Sequence, residues 1–241
     1  MNMIDLHTHL LPCIDDGAAS FEEATRLIHD LLRQGVEVAV CTPHFDPSQL
    51  TLDDFLGKRT AAMELMKASG IRLISGSEIS YHDYLFHYTD ISQLCIENTK
   101  YLLLELPERK QWGKEVFYYI EHLINYYGVI PIIAHIERYR AVRKKKNIIP
   151  VLMAAGCMIQ LNAAFVVDRK TRRRAFLYLK KGYIDVLASD CHNPIKRPPR
   201  ISKAYEIIRN GFGNAFCEHL MNNSRKIIDG EIIRGKVHYL F

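Results

Sequence analysis

Met3-Ile4-Asp5-Leu6-His7-Thr8-His9-Leu10 decides how the rest of the chain is read. An apolar start of strand character runs directly into two histidines at i and i+2. In an extended chain alternate side chains share a face about 6.6–6.8 Å apart, so both imidazoles could grip one metal ion. Two unrelated surface histidines would give the same local pattern. The choice between these readings depends on what else the fold brings to the same place.

Working outward, Ser20-Phe21-Glu22-Glu23 is a capping-box start, and Ala24, Leu27, Ile28, Leu31 and Leu32 form an apolar stripe at helical spacing. Gly35 closes that helix, and 36–41 reads as a mostly buried strand. Thr51-Leu52-Asp53-Asp54 opens a second helix that closes at Gly70, before a strand at 71–74. The cadence continues with strands at 101–104, 129–134, 157–161 and 183–188, separated by helices at 115–127, 148–155 and 171–181 that each end at a glycine. Further helices are expected at 201–210 and 216–229, and the stretch 232–241 is ambiguous.

Seven short, nearly all-apolar strands alternating with helices imply a parallel sheet covered by helices. The expectation is an α/β single domain over 1–241, a TIM-like barrel one unit short of (β/α)8, with a doubly wound open sheet as the lesser alternative. A chain of 241 residues, 48% hydrophobic and 24% charged, suits one soluble globular core. No apolar run reaches the roughly eighteen residues that cross a bilayer, and no signal-peptide pattern precedes the His-x-His, so no membrane insertion and a cytoplasmic location are expected.

The six cysteines contain no C-x-x-C pair and read as reduced, mostly buried residues. The net charge of +5 is modest and gives little support for nucleic acid as a partner. Arg143-Lys144-Lys145-Lys146, Arg172-Arg173-Arg174 and Lys196-Arg197 read as solvated faces, with an approach for a phosphorylated or acidic partner as the alternative.

In parallel α/β folds the active site lies at the carboxyl ends of the strands. After the expected strands, in order, stand His7 and His9 with Asp15-Asp16-Gly17 beyond, Thr42-Pro43-His44, Glu78, Glu105, His135, and Asp190 with His192. Asp15 reads as the local turn residue and Asp16 as the ligand. His29, His82, His87, His122, His219 and His238 fall on or near helices or in the tail. This segregation points to a polynuclear metal site. Histidines and carboxylates without cysteine suit Mn²⁺, Fe²⁺ or Zn²⁺. Such metals would polarise a phosphoryl oxygen and make hydroxide at neutral pH, so hydrolysis is the expected reaction.

The chain resembles the polymerase-and-histidinol-phosphatase (PHP) superfamily through Asp5-Leu6-His7-Thr8-His9, Thr42-Pro43-His44, Glu78, Ile133-Ala134-His135-Ile136-Glu137-Arg138-Tyr139 and Ser189-Asp190-Cys191-His192-Asn193. More narrowly it resembles bacterial manganese-dependent protein-tyrosine phosphatases that act on tyrosine autokinases of capsule and exopolysaccharide synthesis. Ala134-His135-Ile136-Glu137-Arg138-Tyr139, Asp15-Asp16-Gly17, and Arg197-Pro198-Pro199 followed by Ala204-Tyr205-Glu206 carry that likeness. The resemblance implies a distorted (β/α)7 barrel of the PHP type. It also implies three Mn²⁺ ions, with Fe²⁺, Zn²⁺ or Co²⁺ as compatible substitutes. His7, His9, Glu78 and Asp190 would hold one ion; Glu78, Glu105 and His135 a second; Asp16, His44 and His192 the third. Arg138 and Arg197 match the phosphate-binding arginines, and the phosphorylated tail of a tyrosine autokinase is the implied substrate. Ala163-Ala164-Phe165 and Phe45-Asp46-Pro47-Ser48 depart from the relatives' pattern and bear on substrate fit.

Three alternatives remain at this stage. Cys191 to Arg197 satisfies C-x5-R, the pattern of cysteine-dependent tyrosine phosphatases, but Pro194 removes a backbone donor and the loop has no glycine. The same metal site could instead serve histidinol phosphate or another small phosphate monoester. A non-catalytic phosphotyrosine-binding regulator is the alternative of another class. Tyr81, Tyr84, Phe45 and Trp112 follow strand ends and are candidates for the rim of the site.

Overall fold

A computed structural model describes residues 3–233. The opening residues form β1 (Met3–Thr8), buried along its whole length. Half of the capping box forms: Ser20 Oγ accepts from the Glu23 N–H at 3.3 Å, while Glu23 Oε2 reaches one residue past the cap to accept from the Ala19 N–H at 2.9 Å. Helix α1 (Phe21–Arg33) follows, burying Ala24, Leu27, Ile28 and Leu31, whereas Leu32 stays exposed. Gly35, at φ +81°, takes the left-handed turn that releases the chain into β2 (Val36–Cys41).

Next come β3 (His44–Phe45), α2 (Leu52–Leu65) capped by Thr51, β4 (Arg72–Ser75), β5 (Glu78–Ser80) and β6 (Tyr101–Glu105). Helix α3 (Lys114–Asn125), β7 (Ile130–Ile133), α4 (Arg140–Lys144), α5 (Ile148–Ala154) and β8 (Met158–Asn162) follow. The chain continues through α6 (Ala163–Val167), α7 (Arg172–Lys180), β9 (Val186–Ala188), α8 (Ile201–Phe212) and α9 (Asn214–Ile228). The short helices α4 and α6 were not expected, and most of the ambiguous tail, 234–241, lies outside the described residues.

Every strand pair is parallel, in two sheets of order β1-β2-β4 and β3-β5-β6-β7-β8-β9. The strands expected at 36–41 and 71–74 are each followed, two residues later, by a second short strand that joins the other sheet. Pro43, in the first interruption, has no N–H to give a ladder. In the second, a Cβ on Gly76 would come within 3.0 Å of Val40 Cγ1. The break is bridged by Gly76 N–H donating to Cys41 O at 2.9 Å and Glu78 N–H to Pro43 O at 3.1 Å. Beyond β9, Asp190 N–H donates to His7 O and His9 N–H to Cys191 O, both at 2.9 Å, tying that segment to β1.

The larger apolar cluster lies between strands and helices, while a second takes Ile4, Leu6, Tyr101, Leu103, Ile132 and Met158 from the strands. Side chains alternate along a strand, so the row Tyr101-Leu103 continues to Glu105, and the row begun by Met158 continues to Gln160 and Asn162. Polar chemistry thus sits directly on top of an apolar floor, at the carboxyl ends of the strands.

Candidate metal centre

Each strand end delivers its donors by a definite local device. His7 is the penultimate residue of β1 and His9 follows the strand, with their Nε2 atoms 3.0 Å apart. His44 begins β3, Glu78 begins β5, and Glu105 ends β6. His135, after β7, and Asp190, after β9, adopt positive φ values of 31° and 53°, which is uncommon for non-glycine residues and concentrated at functional sites.

All nine expected donors come together, and Glu78 is the hub. Its Oε2 lies 3.0 Å from His7 Nε2, 3.1 Å from His9 Nε2 and 3.3 Å from His44 Nδ1, while its Oε1 lies 2.8 Å from His135 Nε2. Glu105 Oε1 stands 3.4 Å from His135 Nε2. Asp190 Oδ1 lies 3.5 Å from His7 Nε2, and Asp16 Oδ1 lies 3.5 Å from His44 Nε2 and 3.4 Å from His192 Nε2. Three groups are compact enough for one cation each: His7, His9, Glu78 and Asp190; His9, Asp16, His44 and His192; His44, Glu78 and Glu105. Compared with the expected sets, His9 also reaches the Asp16 group, and His44 stands where His135 was expected beside Glu78 and Glu105. None of the other described histidines joins them.

The donor set fits divalent cations. His192 Nε2 is buried without a hydrogen-bond partner while facing the Asp16 carboxylate, an orphan that coordination would satisfy. Burial and the neighbouring His9 and Arg197 push the His192 imidazole down to about 3, leaving it neutral and ready to donate a lone pair. Burial opposes charge on Glu78, but His7 and His135 outweigh it and hold the carboxyl well below its usual range. Burial likewise disfavours a charged His9, yet Asp15 and Glu78 outweigh it and raise its value to about 10. The buried carboxylates therefore demand positive charge, a demand that divalent cations meet in place of protons.

Residues not expected among the metal donors hold those donors in place. Asp15 does form the expected turn, accepting from the Gly17 N–H, but its Oδ2 also accepts from His9 Nδ1–H at 2.7 Å and from the His44 N–H at 2.9 Å. Gln160 Oε1 accepts from the His135 N–H at 2.6 Å and lies 3.3 Å from His7 Nδ1. Its amide donates to Asn162 Oδ1, and Asn162 donates to Asp190 Oδ2, both at 2.7 Å. Asp5 is buried with one oxygen accepting from Ser189 N–H, and burial pushes its carboxyl up to about 6. The alternation along β8 could have exposed Gln160 and Asn162 in the sequence, since polar residues on a buried row need partners.

Arg138 and Arg197 both reach the centre: Arg138 Nη2 pairs with Asp190 Oδ2, and Arg197 Nη2 donates to Asp190 Oδ1 at 2.8 Å. Two hollows open beside Arg138. One, about 590 Å³, contains Tyr81, Leu106, Pro107 and Tyr139 next to Glu105 and His135; the other, about 400 Å³, lies toward Arg197 and Arg200. Of the four rim aromatics, only Tyr81 lines the first hollow; Phe45 is buried against Phe55, and Trp112 is buried against Tyr139. Cys191 is fully buried and its thiol is pushed up by that burial, so the C-x5-R coincidence offers no exposed thiolate.

Comparison with known proteins converges on one group. A sequence family described as "Capsular polysaccharide synthesis, CpsB/CapC" matches residues 3–229. Tyrosine-protein phosphatase CpsB of Streptococcus pneumoniae is 30% identical over 247 residues, covering 96% of this chain and 100% of the relative. Tyrosine-protein phosphatase YwqE of Bacillus subtilis is 26% identical over 242 residues, covering 96% and 93%. A crystal structure from work on YwqE and CpsB, described as unique metal-dependent tyrosine phosphatases, superimposes with a TM-score of 0.83 at 22% identity over 96% of both chains. A TatD-family hydrolase from Entamoeba histolytica reaches 0.57 at 12% identity, covering 94% of this chain and 98% of that one, a likeness of fold alone. With strand order, donor cluster and paired arginines on one side and a match over 3–229 on the other, the chain belongs to the CpsB/CapC family.

Proposed function

We propose that this chain is a metal-dependent protein-tyrosine phosphatase, acting on the phosphorylated tail of a bacterial tyrosine autokinase that controls capsular or exopolysaccharide synthesis. One observation carries the reading: a cluster of five histidines and four carboxylates shares Asp190 with two arginines, beside a hollow lined by Tyr81 and Tyr139. The names borne by CpsB and YwqE support the same reaction for this family member.

His7, His9, Glu78 and Asp190 would hold one cation, Asp16, His44 and His192 a second, and Glu105 and His135 with the shared Glu78 a third; Mn²⁺ is the proposed metal. Bound there, such cations supply Lewis acidity toward a phosphoryl oxygen and make water acidic enough to serve as nucleophile near neutral pH. Arg138 and Arg197 spend one arm each on Asp190, which leaves their remaining donors for phosphoryl oxygens and for the charge that develops there. Tyr81, Leu106 and Pro107 provide a surface of the right polarity for a phenyl ring beside Glu105 and His135. No side-chain nucleophile is needed, in keeping with the burial of Cys191.

Residues 1–241 act as one domain, read as a distorted, closed (β/α)7 barrel in which β2 with β3 and β4 with β5 each count as one strand. The paired bonds between the His7 to His9 segment and the Asp190 to Cys191 segment support closure. The six cysteines, unpaired in disulfides, support a reducing, cytoplasmic location, and no helix among the described residues is long and apolar enough to cross a membrane.

Phosphate release from a phosphotyrosine peptide, with histidinol phosphate alongside, tests the reading. Activity on the peptide should fall on chelation, return with Mn²⁺, and vanish in His135→Ala. Turnover that survives chelation would overturn the metal reading, and a strong preference for histidinol phosphate would move the substrate.

A further inference from the structure

The 400 Å³ hollow on the far side of Arg138 holds two cations, Lys196 and Arg200, that the reaction at the metal centre does not use. Arg138, Lys196, Arg197 and Arg200 line it together with Asp168 and Asp190. Asp190 is already engaged by Arg138, Arg197 and Asn162, and Asp168 accepts from the Lys170 backbone N–H in a local turn. Lys196 and Arg200 are exposed, and neither side chain has a hydrogen-bond or ion-pair partner among the described contacts.

The loop that carries these residues is built rather than slack. Asn193 Oδ1 accepts from the backbone N–H groups of Ile195, Lys196 and Arg197 at 3.2, 2.6 and 3.3 Å, and His192 N–H donates to Arg197 O at 3.0 Å. That arrangement turns Arg197 inward to Asp190 and leaves Ile195 84% exposed at the tip. A large apolar side chain held in water on a fixed turn beside a reactive centre has no packing role inside this chain. Lone exposed apolar side chains are common, so Ile195 by itself marks no site; its position on a fixed turn makes it an accessible apolar contact next to Lys196.

We propose that this hollow is a second anion subsite, in which Lys196 and Arg200 bind an anionic group flanking the phosphotyrosine on the same peptide, with Ile195 against the peptide's neighbouring apolar surface. The anion is a carboxylate or a second phosphate, both matched by a guanidinium and an ammonium. The proposal rests on the phosphatase reading and adds to it the substrate's charge pattern.

The test compares kcat/KM of the metal-loaded full chain for three peptides of one sequence: phosphotyrosine flanked by Glu, by Gln, or by phosphoserine in place of Glu. Two exposed contacts should give the wild-type chain roughly a two- to thirtyfold preference for Glu over Gln. In Lys196→Gln/Arg200→Gln the Glu-to-Gln ratio should fall to near one, and in Arg200→Lys it should largely persist because the charge is kept. A phosphoserine peptide outrunning the Glu peptide assigns the subsite to phosphate, and the reverse order assigns it to carboxylate. Equal turnover of Glu and Gln peptides by the wild type, or a preference that survives the double substitution, overturns the subsite alone. If none of the peptides is hydrolysed, the phosphatase reading fails and the subsite falls with it.

Discussion

Two residues that hold no candidate metal decide which nitrogen each opening histidine can offer. Asp15 is an acceptor, so His9 must donate through Nδ1, and Nε2 is left facing Glu78 and Asp190. The same logic runs through a buried amide chain. The Asp190 carboxylate can only accept, which orients Asn162; Asn162 then orients Gln160, whose Oε1 takes the His7 Nδ1–H. Asp15→Ala and Gln160→Ala should each weaken divalent-metal affinity by about 10–100-fold. Asp15→Asn, which keeps an acceptor for His9, should lose less. Competition against a fluorescent chelator measures all three, and unchanged affinity in the alanine variants would refute the orienting role. The cysteines make a separate prediction: Cys13 is exposed, whereas Cys41, Cys95, Cys157, Cys191 and Cys217 are buried. Brief alkylation of the native chain should add one label, at Cys13, and Cys191→Ser should keep phosphatase activity. Rapid labelling of Cys191 would contradict its burial.

At the scale of elements, the site depends on how strands are interrupted. Gly17 lies so close to the end of β1 that a Cβ there would sit 2.2 Å from His9 O and 2.6 Å from His9 Cβ. Backbone cannot yield as a flexible side chain can, so Gly17→Ala should displace the Asp15-Asp16 turn, and metal affinity at that end should drop more than the melting temperature does. A variant that binds metal like wild type would refute this. The break between β4 and β5 is held by a buried arginine from α2, since Arg59 donates to Gly76 O and Ser77 Oγ and also to Gln93 O, each at 2.9 Å. Arg59→Leu leaves those acceptors unmet and should cost about 2–4 kcal/mol by denaturant unfolding, which an unchanged midpoint would exclude. The sequence announced the helix starts at Ser20 and Thr51 because a side-chain cap is local chemistry. It did not announce the split strands, because β3 and β5 are strands only by virtue of each other and β6. Helix α6 escaped for a related reason: Asn162 stands at its N-cap but makes no capping hydrogen bond, its side chain being taken by Gln160 and Asp190, and the five-residue helix packs on α8.

For the whole molecule, the donors were legible because a parallel α/β fold turns chain order into position: residues that follow strands arrive at one rim. Spacing alone did not say which donor stands beside which; the resemblance implied the sets His7, His9, Glu78, Asp190 and Asp16, His44, His192, which recur here, whereas His44 next to Glu78 and Glu105 depends on the pairing of β3 with β5. That geometry has a stability consequence. Glu78, Asp190, His7, His9 and His135 come from four different strand ends and are all buried, so cations among them tie together segments distant in the chain. A cation that binds only the folded state adds about 2.7 kcal/mol when present at 100 times its dissociation constant. For a chain of this size each kcal/mol moves the melting temperature by about 2–4 °C, so one such ion should raise it by roughly 5–11 °C. Adding a strong chelator should therefore lower the melting temperature by at least that span, and Mn²⁺ in excess should restore it. Glu78→Gln should shrink the difference between the two conditions, because the hub would lose its charge while keeping its shape. Identical melting curves with chelator and with Mn²⁺ would mean that the cluster holds no cation in the folded chain, and the phosphatase reading would fall with it.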